Sequence, residues 1–373
     1  MIANGSFAFM MLKDGRAVFE KYYTGTQPTT VFNLGEASSL VSNIMAAIAI
    51  EEGLVDLDTP ITQYIGTGFS NATPAQEQQI TLEHLLRGTT GLSADLNFVT
   101  APGASWSSSL ALHNLLVRAI SSPVEYNNDP NFALIIQGLF FPSPPHPGGA
   151  WITTDGLFNY NTDLRGAART ALLWMANGDW DGQSIIEDKG FIQSAITADG
   201  NPNPSYGYNF WLNGQSNFSL PESPNNSVSG TFNPNGFDET YSAIGTSGLF
   251  IDILPSQGIV VVRLGRDLRG DTQVSLDLYR DYWEQLSALA CSLSSTQEVI
   301  VNENAAFPNP FSENIQISGD EMPDFVRLYD IYGKLVVNEV STFEINTASL
   351  PKGIYVLEIG RDGLRETKKM LKH

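Results

Sequence analysis

The period of the hydrophobic positions changes several times along the chain. Phe7–Leu12 is an apolar run, followed by Lys13-Asp14-Gly15 and then Ala17–Tyr23, which reads as a β-hairpin. After a short extended segment at Val31–Gly35, Leu40, Val41, Ile44, Met45 and Ile48 recur at spacings of three and four, with Gly53 beyond the end. That spacing predicts a helix. A short helix over Thr81–Leu86 capped by Thr81, a helix near Leu110–Ile120, and a helix from a Thr162 or Asp163 cap to Asn177 follow. Residues 195–240 are rich in Asn, Pro, Ser and Gly and read as long loops. Gly248–Leu254 and Gly258–Leu264 read as strands, and Leu276, Tyr279, Trp283, Leu286 and Ala290 mark one face of a last helix. Strands at both ends with helices between predict one antiparallel sheet closed by the two termini.

From Cys291 to Gln297 the chain turns polar. Beyond it lie only short strand patterns: Ile315–Ser318, Phe325–Tyr329, Lys334–Val340, Gly353–Ile359 and Glu366–Leu371. The expected organisation is a first domain over 1–292, a linker over 293–303 and a small β-sandwich over 304–373.

Charge narrows the function classes. The 373 residues carry 40 acids against 20 Lys plus Arg, a net charge of -20. This balance argues against a phosphate-backbone partner, so no nucleic acid is expected, and against docking on an anionic membrane. Residues 1–297 hold 3 Lys and 9 Arg against 28 acids, and no Lys, Arg or His occurs from residue 190 to 262. Cys291 is the single cysteine, which excludes an internal disulfide. No pair of histidines has a metal-ligand spacing, so neither metal nor cofactor is expected. No apolar run of about 20 residues predicts a membrane span. The first residues lack the basic and apolar regions of a signal peptide, so the chain is expected to start within a fold, as a mature or truncated form would.

Six segments taken in order carry a resemblance: MLKDGRAVFEKYY, VFNLGEASSLVSNIMAAIAIEEGLVDLDTPI, ITLEHLLRGTTGL, EYNNDPNFAL, NPSYGYNFWLNG and IDILPSQGIVVVRLG. Residues 6–290 resemble the serine β-lactamase-like hydrolases, which include class C β-lactamases, penicillin-binding carboxypeptidases and esterases. The resemblance implies an α+β fold, the β-lactamase/transpeptidase-like antiparallel sheet flanked by helices. In that family a Ser and a Lys in Ser-x-x-Lys spacing face one side of a helix, and a Tyr-x-Asn loop adds a proton shuttle. Backbone N–H groups form the oxyanion hole beside a third motif on a strand.

Carried over residue by residue, the resemblance implies Tyr126 and Asn128 as the Tyr-x-Asn pair, and Gly245, Thr246 and Ser247 as the substrate-binding strand segment. With Val31-Phe32-Asn33-Leu34 on one side and Glu51-Glu52-Gly53 on the other, the nucleophile position is Glu36 and the lysine position Ser39. No Ser-x-x-Lys occurs anywhere in residues 1–292. A second resemblance rests on FPNPF (307–311), LYDIYGKLV, LPKGIYVLEI and the terminal TKKMLKH. It is to the C-terminal sorting domain of the type IX secretion system of Bacteroidetes. It implies secretion or cell-surface attachment and the secretion machinery as a partner.

Two readings stay open. In one, the protein is an inactive or impaired homologue that binds a small-molecule or peptide ligand in the old cleft. In the other, it is an active hydrolase of an ester, amide or β-lactam with an unusual site built around Tyr126. Glu36 also suits a helix start, where the dipole favours a carboxylate. His84 reads as structural, and His113 and His146 as surface or loop residues. Asp179-Trp180-Asp181-Gly182 reads as a tight turn rather than a calcium loop. Tyr206, Tyr208, Phe210 and Trp211 read as wall packing around a pocket.

Overall fold

The computed structural model describes residues 5–23, 25–122, 149–154, 157–245, 248–268, 274–294, 306–318, 322–330, 334–361 and 364–373. The chain forms two compact units, Met1–Ser294 and Ser295–His373.

The first unit opens with β1 (Ser6–Lys13) and β2 (Arg16–Tyr22). Asp14 and Gly15 sit at φ 50° and 75° in the turn, the left-handed pair that a two-residue hairpin loop requires. Next come β3 (Phe32–Asn33), a 3₁₀ turn over Gly35–Ser38, and α1 (Ser39–Glu51). The helical part continues with α2 (Thr62–Ile65), α3 (Pro74–Glu77), α4 (Leu82–Arg87) and α5 (Leu110–Ser121). Then follow β4 (Ala150–Thr154), β5 (Leu157–Thr162), α6 (Leu164–Met175), β6 (Asp179–Trp180), β7 (Gln183–Ser184) and α7 (Lys189–Ala195). The unit closes with β8 (Trp211–Leu212), β9 (Asn217–Leu220), β10 (Ser223–Ser229), β11 (Tyr241–Gly245), β12 (Leu249–Leu254), β13 (Ile259–Gly265) and α8 (Leu276–Ser294).

Six antiparallel strands form the central sheet in the order β2-β1-β13-β12-β11-β8. The first hairpin therefore pairs with the last strand of the unit, Met10 opposite Val262, as the sequence pattern predicts. Alternation splits the core in two. Met10, Ile251, Val260 and Val262 face the layer containing α1 and α6. Phe9, Met11, Phe250 and Val261 face Leu278, Tyr279 and Trp283 of α8. Coverage on both faces explains why β12 is buried along its whole length.

Caps follow the sequence. Thr81 accepts from the His84 N–H, and Asp163 accepts from the Gly166 N–H at 2.7 Å. Glu77, fully buried, accepts from the N–H of Gly68 and both the N–H and hydroxyl of Ser70, and so holds the 68–70 turn against α3. The β4–β5 hairpin and α7 go beyond the sequence reading. So do β8, β9 and β10, which lie where long loops are expected.

In the second unit, β14 (Ala306–Phe307), β15 (Asn314–Ile317), β16 (Phe325–Asp330), β17 (Leu335–Glu339), β18 (Glu344–Asn346), β19 (Gly353–Arg361) and β20 (Leu364–Lys372) form two antiparallel sheets, β14-β15-β18 and β17-β16-β19-β20. Ile315, Ile317 and Ile345 of one sheet share a core with Val326, Leu328, Leu357 and Met370 of the other. β20 is an edge strand, and Asn309 covers part of it. Its carboxamide donates to Lys369 O at 2.9 Å and accepts from the Leu371 N–H at 2.8 Å, in the manner of a neighbouring strand.

Candidate functional site

Glu36 lies in the 3₁₀ turn between β3 and α1. Asn33 shapes the approach by accepting from the Gly35 N–H at 2.8 Å, and Gly35 takes φ 52°. The turn is pinned to β5 on one side: Leu34 N–H donates to Tyr160 O at 2.9 Å, and Tyr160 N–H donates to Ser38 Oγ at 2.9 Å. On its other side lies the end of β11. A Cβ on Gly245 would stand 2.5 Å from Leu34 O, so only glycine permits this approach. The structure thus brings together Glu36, Ser39 and Gly245. Tyr126, Asn128, Thr246 and Ser247 lie outside the described residues.

Glu36 is half-buried, and its charge reaches Tyr206. Burial holds the Tyr206 phenol well above its ordinary pKa; a hydrogen bond from Ser108 opposes this and the Glu36 carboxylate adds to it. The phenol lies 3.2 Å from Ser108 Oγ and donates to Asn209 Oδ1 at 3.3 Å. Its ring packs edge-on against Trp106 and Trp211. This matches the expectation of wall packing for Tyr206 and Trp211. The link from Tyr206 to Glu36 is new, because long-range proximity leaves no mark in local spacing.

Two lysines of this unit are engaged elsewhere. Lys13 pairs with Asp14 at 2.7 Å. Lys189 donates to Asn177 O, Asp179 Oδ1, Ser184 Oγ and Ile186 O, all within 2.9 Å. It ties the β6–β7 hairpin to α7, and Asp181 and Gly182, at φ 48° and 77°, form the turn of that hairpin. Lys21 is exposed on the edge strand β2.

His113 corrects the sequence reading. It is 5% exposed on α5, not a surface residue, because Leu112 to Val117 of that helix are all buried. Its Nε2 lies 2.9 Å from Ser42 Oγ on α1, and its ring stacks on Trp151. Burial drives its pKa down to about 4. Between that value and its ordinary 6.5 the unfolded chain binds a proton that the folded chain refuses, so this residue costs stability as pH falls. His113→Gln is expected to be less stable than wild type at pH 7, where the Ser42 contact is lost. The gap should narrow by about 2–3 kcal/mol at pH 4.5, as read from urea midpoints. A gap independent of pH would show that His113 is protonated in the fold. His146 lies outside the described residues.

A separate cleft of about 260 Å³ opens beside α4, lined by Asp58, Glu83, His84, Arg87, Asp199 and Asn201. None of the sequence-predicted site residues lines it. His84 there caps α4 through Thr81, as a structural residue should. Among the described residues no cluster of His, Cys, Asp or Glu is arranged to hold a metal, and no helix is long and apolar enough to cross a membrane.

Residues 3–124 match the family model described as Beta-lactamase, and residues 305–373 match the Secretion system C-terminal sorting domain. Among solved structures the chain is similar to a β-lactamase from Mycobacterium bovis, at 17% identity and TM-score 0.57, over 78% of this chain and 96% of that one. A putative β-lactamase from Bacteroides dorei gives 15% identity and TM-score 0.57, over 79% and 94%. An octameric penicillin-binding protein homologue from Pyrococcus abyssi gives 11% and 0.55, over 99% and 92%. Among curated proteins there is no match. Similarity at these identities establishes the fold, and the sorting domain directs the chain to secretion or the cell surface. The chain thus matches the Beta-lactamase family model over residues 3–124 and has the β-lactamase/transpeptidase-like fold, followed by a type IX secretion sorting domain.

Proposed function

We propose that the first domain is a secreted ligand-binding protein that has lost serine-hydrolase chemistry. What supports this reading is that Glu36 and Ser39 stand at the positions that the resemblance implies for the Ser and Lys of the family motif. The backbone around them forms a tight turn before α1, with Gly245 of β11 packed against it. A carboxylate in place of the hydroxyl is a weak nucleophile, and Ser39 has no amine with which to take a proton. Its hydroxyl is 2% exposed and has no hydrogen-bond partner among the described residues. The ligand is a small molecule or peptide held in the cleft.

The wild-type protein is therefore expected to turn over neither a chromogenic cephalosporin nor a short-chain nitrophenyl ester above background. It is also expected to resist labelling by a fluorophosphonate. Turnover that disappears in Glu36→Ala or Tyr126→Phe would replace this reading with that of a hydrolase built around Tyr126.

A further inference from the structure

The cleft beside α4 draws its walls from three stretches of chain. Asp58 comes from the α1–α2 connection, Glu83, His84 and Arg87 from α4, and Asp199 from the loop after α7. Its volume of about 260 Å³ is smaller than the pockets of about 300–1,000 Å³ that take drug-sized ligands, so it suits a smaller guest.

The hydrogen bonds fix what each wall group can offer. The Thr81 backbone N–H donates to His84 Nδ1 at 3.1 Å, so Nδ1 is an acceptor and the ring proton sits on Nε2. Burial lowers the His84 pKa against the opposing pull of Glu83 and Asp58, which keeps the ring neutral at pH 7. Its Nε2 edge faces Gly103 on the cleft wall, where an added Cβ would stand 3.9 Å away. Arg87 meets Glu83 through Nε, at 2.7 Å, and its guanidinium lies over the Tyr208 ring at 4.9 Å. Tyr208 in turn donates to the same Glu83 oxygen at 3.1 Å. Among the described residues neither Nη group of Arg87 has an acceptor, and Nη1 is buried in that condition. A buried charged donor without an acceptor is costly, and a guanidinium commonly meets a carboxylate through two N–H groups.

Asp58 and Asp199 present the opposite need. Both are exposed, and neither has an ion-pair partner among the described residues. Polarity therefore follows depth: the exposed groups of the cleft are carboxylates, and the half-buried His84 and Arg87 are donors.

We propose that this cleft binds a small amino acid, its carboxylate on the Arg87 guanidinium and His84 Nε2–H, and its ammonium group on Asp58 and Asp199. A simple anion would meet repulsion from the two exposed carboxylates. A simple cation would leave the Arg87 and His84 donors without acceptors. A compact zwitterion satisfies both sets at once. The site lies apart from the turn that carries Glu36 and Ser39, and it does not depend on whether hydrolysis is lost there.

Glycine is the probe, as the achiral member of the class. It is titrated into the full chain at pH 7 and followed by saturation-transfer NMR of its methylene signal. Acetate and methylammonium, each carrying one of its two charges, are titrated at equal ionic strength. Glycine is expected to bind saturably, and each half-ligand at least tenfold more weakly. Asp58→Asn and Asp199→Asn alter exposed side chains, so both should fold, and each should weaken glycine about tenfold. Arg87→Lys keeps the charge but loses the planar fork and should also weaken it about tenfold. Should Arg87→Lys not fold, the two aspartate variants decide. Glu36→Gln should leave glycine binding unchanged. No saturable glycine signal, a half-ligand that binds as well as glycine, or binding that survives in both aspartate variants would overturn the proposal. Loss of glycine binding in Glu36→Gln would place the amino acid elsewhere and overturn it too.

Discussion

The double variant Glu36→Ser, Ser39→Lys is expected to hydrolyse a chromogenic cephalosporin about 10²–10⁴-fold faster than the wild-type protein, the range that one positioned general base contributes. The argument is geometric. Positions 36 and 39 lie three residues apart and face one side, so a lysine amine at 39 can reach a hydroxyl at 36. Ser39 is 2% exposed, and burial there would lower the lysine pKa toward that of a working base. The turn is already held by Tyr160 on one flank and abuts Gly245 on the other. A longer side chain in a packed core costs about 1–3 kcal/mol, so the variant should melt lower than wild type even as it gains activity. A folded double variant with no turnover would show that the cleft itself has drifted beyond the two substituted positions. Neither single variant is expected to gain activity, since each supplies only half of the pair.

Asp252→Asn should raise stability at pH 8 by about 2–4 kcal/mol and have little effect near pH 4. Asp252 sits on β12, fully buried between the sheet and α8. Tyr279 OH donates to its Oδ1 at 2.8 Å and Trp283 Nε1 to its Oδ2 at 3.2 Å, with Ser242 Oγ 2.9 Å from the Tyr279 hydroxyl. All of these partners are neutral. Burial pushes the carboxyl up to about 7, and the hydrogen bonds offset only part of that. Between pH 4 and 7 the folded chain keeps a proton that the unfolded chain gives up, so Asp252 costs stability as pH rises and the full cost stands above pH 7. Asparagine fills the same space without the charge, accepting from Trp283 and donating to the Tyr279 oxygen. Urea midpoints at pH 4 and pH 8 measure the effect. An asparagine variant less stable than wild type at pH 8 would mean that the charged form is well solvated. His113 opposes this trend over the same range, so the wild-type profile should be flatter than either variant's.

The strands that close the sheet were legible because Phe7–Leu12 is continuously apolar and Gly248–Leu254 and Gly258–Leu264 are apolar but for Asp252 and Arg263, the mark of a strand covered on both faces. The α6 cap was legible because Asp163 precedes an apolar stripe and Gly178, at φ 80°, stops the chain. The β4–β5 hairpin was not, because its buried positions include Asn159 and Thr162 and so break the apolar alternation. In α7, Gly190 near the start masked the Asp188 cap. His113 was misplaced because a polar residue on a helix buried nearly all round looks like one facing water. At the candidate site, the identities of residues 36 and 39 and the glycine at 245 came from the resemblance. The proximity of Tyr206 and the unpaired hydroxyl of Ser39 depend on tertiary packing, which no spacing along one chain encodes.

The region between α7 and β11 contains no basic side chain of its own, and within it amides take the role that ion pairs often fill. Asn213 accepts from Thr231 Oγ1 and the Asn233 N–H and donates to Asn233 O and Phe237 O. Asn203 accepts from the N–H groups of Ser205 and Ser219 and donates back to Ser219 O. None of these groups titrates near neutrality, and none is weakened by mobile ions as a surface ion pair would be. A protein directed outside the cell meets salt and acidity that it does not control, and the stretch that carries Tyr206 is braced by bonds indifferent to both.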